Sequence, residues 1–360
     1  MASADDVRPA TPDPAIAPFA AIGLSDRPRV GGKGASLGEL MRAGIRVPPG
    51  FVLTTEAFAA FAATLPALRE PLAGLRADDL AGIGAATAGL RARVLEAPLP
   101  ESVHRSIARA HAELVGDDPG APVAVRSSAT SEDSAEASFA GLQDTYLWVR
   151  GIDSVIDAVR RCWASLYSEP SVAYRLRLGL PEAQVAMGVV VQRMVDARCA
   201  GVMFTRSPTT GDRSVVAINA SWGLGSAVVS GEVTPDEYAL NKVTGEVTRR
   251  VISDKAVRDV PQPGGGVAPE PVPEPQRRIA CLDDAMLRTL LAMAERIERH
   301  YGHAMDVEWA TDAAGRLFIL QSRPETVWSR RDATVAGQPI AAPQANPFAH
   351  VLAALGGLRR

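Results

Sequence analysis

The irregular alternation of short apolar runs with longer amphipathic ones constrains this chain most. "VAMGVVVQRMV", "AGVMFTR" and "SVVAINA" are strand-length stretches rich in β-branched residues and bounded by polar turns. "SVIDAVRRCWASLYS" and "LDDAMLRTLLAMAERIERHYG" instead space their apolar residues as a helix does, and the second runs into a glycine stop. "ASLGELMRAG" reads as a helix ended by Gly44, "FVLTTEAFAAFAATL" as a strand and then a helix capped near Thr54 or Thr55, and residues 70–118 as mostly helical. Strands and helices mixed in this order predict α+β subdomains, not a repeat array. With 360 residues, 47% of them hydrophobic, there is material for one large or two moderate cores.

Several functional classes are disfavoured. A formal charge of −3 gives no basic field, so nucleic acid is not an expected partner. Three scattered cysteines, Cys162, Cys199 and Cys281, lack metal-ligand spacing, and their odd number argues against a disulfide framework; a cytoplasmic location is expected. The charge-free run Ser214 to Gly231 is broken by Asn219, serines and glycines, so no membrane span is expected there. The Pro/Ala-rich start, residues 1–21, reads as a disordered tail. "PQPGGGVAPEPVPEPQ" reads as a flexible surface loop, and residues 329–360 as a linker with one short apolar helix.

Chemistry-bearing residues gather in three places. Lys33 is the only lysine before residue 242 in a chain with three lysines, and it lies in "VGGKGASLGEL". Glycines flanking a lysine before a helix can bring N–H groups and an ammonium to an anion, although this is no P-loop. The bland reading is a glycine-rich turn with an exposed lysine.

In "VAVRSSATSEDSAEASFAGLQDTYL", Arg126 reads as the end of a strand, followed by hydroxyls suited to phosphate. It is equally readable as the partner of Glu132 or Asp133 in a solvated loop. In the hairpin "DVEWATDAAGRLFILQSRP", a four-residue "DAAG" loop sets Thr311 against Arg316 and Glu308 against Ile319. Glu308, Gln321 and Arg323 then share one face, and Val307, Trp309, Phe318 and Leu320 the other. The polar face is either a Mg²⁺ and phosphate site or a structural edge.

"INASWGLGSAVVSGEVTPDEYAL" does not match a dinucleotide fingerprint. "VVVQRMV" is open to two readings: a linker presenting backbone to an adenine edge, or a core strand. His104, His111, His300, His303 and His350 all lie in helix-like surroundings, which suits surface or satisfied histidines better than nucleophiles.

In order along residues 22–328, "GGKGASLGEL", "VPPGF", "VAVRSSATSEDSAEASFAGLQDTYL", "CWASLY", "GVMFTRSPTTGDR", "INASWGLGSAVVSGEVTPDEY", "HYG" and "DVEWA…LFILQSRPETV" resemble one family. It is the N-terminal nucleotide-binding domain of the phosphoenolpyruvate synthase and pyruvate phosphate dikinase family, which includes rifampicin phosphotransferases. The resemblance implies an ATP-grasp fold whose lobes, residues 22–198 and 199–328, close on ATP and Mg²⁺. It implies that Lys33 and Arg126 bind phosphates, Gly141 and Thr145 line the nucleotide, and Gln192 lies near the base. It also implies that Glu308 and Gln321 bind metal and that Arg323 binds phosphate.

The family's swivelling domain, with its phosphorylated histidine in a TxGGxxxH-like loop, and the synthases' pyruvate barrel have no counterpart in these residues. The resemblance therefore implies a phosphohistidine carrier as partner, on a separate chain. A nucleotide-binding module without turnover and an antibiotic phosphotransferase domain are the alternatives.

Overall fold

The computed structural model describes residues 13–68, 70–130, 133–134, 137–138, 144–182, 185–326 and 328. The first half runs β1 (Ile16–Pro18), α1 (Arg27–Arg42), β2 (Gly50–Leu53), α2 (Thr55–Ala62), α3 (Leu80–Glu96), α4 (Glu101–Val115) and β3 (Val123–Ala129). Two-residue strands β4 (Asp133–Ser134) and β5 (Ala137–Ser138) precede β6 (Thr145–Val149), α5 (Ile152–Ser165), α6 (Glu169–Arg177) and β7 (Met187–Arg193). The second half contributes β8 (Ala197–Phe204), β9 (Val215–Trp222), α7 (Ser226–Val229), β10 (Asp236–Asn241) and β11 (Val247–Val251). It continues with β12 (Val257–Pro261), β13 (Val267–Pro271), α8 (Glu274–Arg277), α9 (Asp284–Tyr301), β14 (Met305–Asp312) and β15 (Leu317–Pro324).

Among the described residues, two large antiparallel sheets, ordered β1-β2-β7-β3-β6 and β11-β10-β9-β8-β14-β15, are accompanied by the two-stranded pairs β12-β13 and β4-β5. The two-sheet α+β architecture agrees with the expected two-lobed fold. Because strand side chains alternate, each sheet offers two faces. One face of the first sheet, with Phe51, Leu53, Val123, Val125, Val189 and Val191, packs on helical Phe58, Phe61 and Trp163. Phe61 stacks on Trp163 with centroids 4.9 Å apart.

On the opposite face, Val52 and Val190 join a second core with Leu37 and Leu40 of α1, Met203, Ile218, Trp309 and Ile319 of the second sheet, and Leu290 and Ile297 of α9. This core locks α1 between the lobes. Each fully buried aliphatic there contributes about 1.5–3 kcal/mol. Local signals set the helix ends. Thr54, not Thr55, caps α2 by accepting from the Ala57 N–H at 3.4 Å, and Gly302, at φ 75°, ends α9.

Three expectations are revised. Residues 13–21 are not all tail, since Ile16–Pro18 pairs with β2 and buries Ile16, Ala17 and Phe19. A lobe boundary at residue 198 would cut β8; the sheets part between Arg193 and Ala197. "PQPGGGVAPEPVPEPQ" is largely a hairpin, with β12 and β13 paired from Val257↔Pro271 to Pro261↔Val267. A two-stranded ribbon has outward-facing backbone positions where proline's missing N–H costs nothing. The C-terminal helix expected at residues 345–360 lies outside the described residues. Among the described residues no helix is long and apolar enough to cross a membrane.

Candidate functional site

The first piece of the site is the start of α1. Its helix breaks at Gly31, φ 73° and ψ 175°, and resumes toward Lys33. Gly31 is required by contact as well as by backbone angle, because a Cβ there would lie 2.0 Å from the Ser128 carbonyl oxygen. The Ser128 hydroxyl of β3 bridges the break: it donates to the Val30 carbonyl at 2.9 Å and accepts from the Gly34 N–H at 3.2 Å. Lys33 is thereby placed, half-buried, in the first turn of the resumed helix.

The second piece is the face of the first sheet turned toward the hairpin β14–β15. Arg126 is not at a strand end as the sequence suggested; it sits mid-strand, paired with Thr145 of β6 and Val190 of β7. Gln192, paired with Ala124 two residues away on β3, shares that face. Arg126 is 8% exposed. Its Nη1 donates to the Leu320 carbonyl at 3.3 Å and stands 3.8 Å from Glu308 Oε2. Its buried Nε has no hydrogen-bond partner among the described residues.

Gln192 is 1% exposed and donates to the Pro48 carbonyl at 3.3 Å. The backbone of β7 is paired on both sides, by β2 and β3, so of the two readings of "VVVQRMV" the core strand is the one found. Gly141 lies outside the described residues.

The third piece is the hairpin, whose register departs from expectation. Asp312 pairs with Arg316 around a three-residue loop closed by Gly315 at φ 72°. Thr311 therefore opposes Leu317, and Trp309 opposes Ile319. Leu320 is then a bulge, beyond which Glu308 directly opposes Gln321, and Asp306 opposes Arg323. Leu317 and Ile319, not Phe318 and Leu320, join Val307 and Trp309 in the core. The bulge also presents the Leu320 carbonyl that Arg126 binds.

Glu308, Gln321, Arg323 and Asp306 line a cavity of about 10 Å³ with Val202, Val307 and Phe204, room for about one water. Glu308 pairs with Val202 and Val202 with Asn219, so Asn219 extends the same row across β9. A carboxylate and an amide in direct opposition are hard oxygen donors of the kind Mg²⁺ prefers. Arg126 beside Glu308 and Arg323 beside Asp306 add guanidinium groups of the kind that can hold an anion.

Asp306 was missed by the sequence reading, although a residue two before Glu308 on a strand must share its face. Its Oδ2 lies 3.4 Å from Arg323 Nε, and its buried Oδ1 has no partner among the described residues. Burial, opposed by Arg323 and reinforced by Glu325, pushes its carboxyl up to about 7. Arg323 is thus oriented by a carboxylate, a feature that the phosphate role alone did not anticipate. Of the histidines, His104 and His111 lie on α4, His300 meets Glu39 at 2.7 Å, and His303 leans on the Ala304 carbonyl.

A family described as pyruvate phosphate dikinase, AMP/ATP-binding domain, matches residues 27–341. A protein named "Probable phosphoenolpyruvate synthase" from Staphylothermus marinus is 42% identical over 333 residues, covering 84% of this chain and 40% of the relative. The phosphoenolpyruvate synthase of Escherichia coli K12 is 41% identical over 328 residues, covering 86% of this chain and 41% of the relative. The chain thus spans about two fifths of the length of these relatives. Among solved structures, D-cycloserine synthetase DcsG superposes with a TM-score of 0.25 at 15% identity, over 87% of this chain and 66% of that one, a likeness too slight to decide anything.

Proposed function

Because the chain belongs to the family of the pyruvate phosphate dikinase AMP/ATP-binding domain, we propose that it is the ATP-binding, phosphoryl-donating part of a phosphoenolpyruvate synthase-like phosphotransferase. The observation that carries this reading is the convergence of Arg126, from the first sheet, on Glu308 and the Leu320 bulge of the second. Lys33 and Arg126 hold the phosphates from the α1 and β3 side, Thr145 and Gln192 flank the nucleotide on the same sheet, and Arg323 holds phosphate from the hairpin. Gly141 completes that set by resemblance alone.

The oxygen donors of Glu308 and Gln321 fit a divalent cation, with Asn219 in the same row. Bound there, Mg²⁺ would neutralise charge on the transferring group. The chain's own contribution is to align the phosphates and exclude water, since phosphoryl transfer needs positioning more than covalent help.

The acceptor is a histidine of a carrier on another domain or chain, which takes the β- and γ-phosphoryl groups as AMP leaves; water then removes the γ-phosphoryl group as phosphate, and pyruvate is the final acceptor of the phosphoryl group left on histidine. His300 already meets Glu39 of α1 and His303 the Ala304 carbonyl, which supports a histidine supplied from elsewhere. The buried free cysteines suit the reducing cytoplasm.

The test is transfer from ATP labelled at the β-phosphate. Label on the histidine of an added carrier polypeptide, with little AMP from the chain alone, is the expected result. Steady AMP release by the purified chain at ordinary kinase rates would overturn it.

A further inference from the structure

Behind the site runs a seam of hydroxyls that the proposed function does not use. Ser36 stands about one helical turn beyond Lys33 on α1, and Ser322 lies between Gln321 and Arg323 on β15. The two side chains meet: the Oγ atoms are 2.9 Å apart, and Ser36 Oγ donates to the Ser322 carbonyl at 2.7 Å. At the end of α9 the Tyr301 hydroxyl donates to the Ser36 carbonyl at 3.3 Å and lies 3.4 Å from Ser36 Oγ. Ser36 and Ser322 are 8% and 3% exposed, so water replaces these bonds poorly.

The placement matters because of strand alternation. Ser322 opposes core-facing Val307 and turns toward α1, whereas its neighbours Gln321 and Arg323 turn to the cleft. Any slip between α1 and β15 therefore moves Lys33 relative to both neighbours at once.

We propose that Ser36, Ser322 and Tyr301 are positioning residues, whose seam fixes the spacing between the Lys33 ammonium and the Gln321–Arg323 pair. The seam fits the cleft to a polyphosphate chain and leaves the nucleoside end untouched. This inference rests on the reading of the cleft as an ATP site.

The test is to titrate wild type, Ser36→Ala, Ser322→Ala, the double variant, Ser322→Thr and Tyr301→Phe with MgATP and, separately, with adenosine, which carries no phosphate. Each alanine variant should weaken MgATP five- to tenfold with adenosine affinity unchanged. The double variant should be little worse than Ser36→Ala, which already removes the hydroxyl–hydroxyl contact that Ser322→Ala loses. Ser322→Thr keeps the hydroxyl and should stay within twofold of wild type. Tyr301→Phe, which removes one oxygen at the edge of the seam, should cost about twofold and keeps the test alive if an alanine variant does not fold.

Parallel weakening of MgATP and adenosine would assign the seam a general structural role and overturn the proposal, as would no change in either. A wild type that binds adenosine but gains nothing from the phosphates would overturn the ATP reading itself, a distinguishable outcome.

Discussion

Gly31→Ala adds one carbon at the point where α1 breaks, and its cost can be worked from the geometry. A backbone at φ 73° and ψ 175° lies where residues with a side chain are strained by about 1–3 kcal/mol. The new Cβ would lie 2.0 Å from the Ser128 carbonyl oxygen, so Ser128 must retreat by roughly 1 Å to restore a tolerable carbon–oxygen contact. That retreat breaks the hydroxyl's bonds to the Val30 carbonyl and the Gly34 N–H, each worth about 1 kcal/mol. The sum is about 3–5 kcal/mol.

Gly245→Ala isolates the contact, because Gly245 has φ 73° but nothing within 4 Å, leaving only a backbone cost of about 1–2 kcal/mol. Urea unfolding of the two variants, read by tryptophan fluorescence, should separate them by at least 1 kcal/mol. MgATP affinity should fall in Gly31→Ala alone. Equal unfolding free energies with unchanged MgATP binding would refute the claim that Ser128 and Gly31 together place Lys33.

Three further outcomes follow from buried charge. Lys255 and Asp236 are both fully buried and 2.6 Å apart, so Lys255→Met should cost about 3–5 kcal/mol in denaturant unfolding, while Lys242→Met, at the partly exposed pair with Glu298, should cost under about 1 kcal/mol. Burial holds the His111 imidazole below its ordinary pKa, so the folded state favours the neutral ring and the unfolded chain protonates first. Stability should therefore fall as pH drops through about 6.5, and His111→Phe should flatten that part of a Tm-against-pH curve. Asp306→Asn keeps the shape but removes the charge facing Arg323; calorimetry should show MgATP binding several-fold weaker, with a Tm no lower than wild type, because burial already disfavours the ionised carboxyl.

The polar face of the hairpin was legible for a partly accidental reason. A four-residue loop was one residue too long and the Leu320 bulge was invisible; beyond Leu320 the two slips add to a two-residue shift, which moves the partner of Glu308 from Ile319 to Gln321 but leaves Glu308, Gln321 and Arg323 on one face. Between the loop and the bulge only the first slip acts, so Phe318 was assigned to the core that Leu317 and Ile319 occupy. Bulges answer to neighbouring strands, and the sequence of one hairpin does not encode them strongly.

Lysine scarcity drew attention to Lys33, but the same scarcity covers Lys255 and Lys242, both held in ion pairs. Rarity thus marks placed cations in general and does not by itself separate a ligand-binding lysine from a structural one such as Lys255 on Asp236. The β12–β13 ribbon was hidden by composition, since proline and glycine lower strand propensity even where pairing tolerates them.

The account's central claim is that Arg126, aimed across the cleft at Glu308 and Leu320, is half of a MgATP site. Calorimetric titration of MgATP into wild type and Arg126→Ala tests it most directly. The account predicts saturable binding to wild type and at least a tenfold loss in the variant, as for a charge-assisted contact of about 1.5–3 kcal/mol. Equal affinities in the two proteins would contradict it.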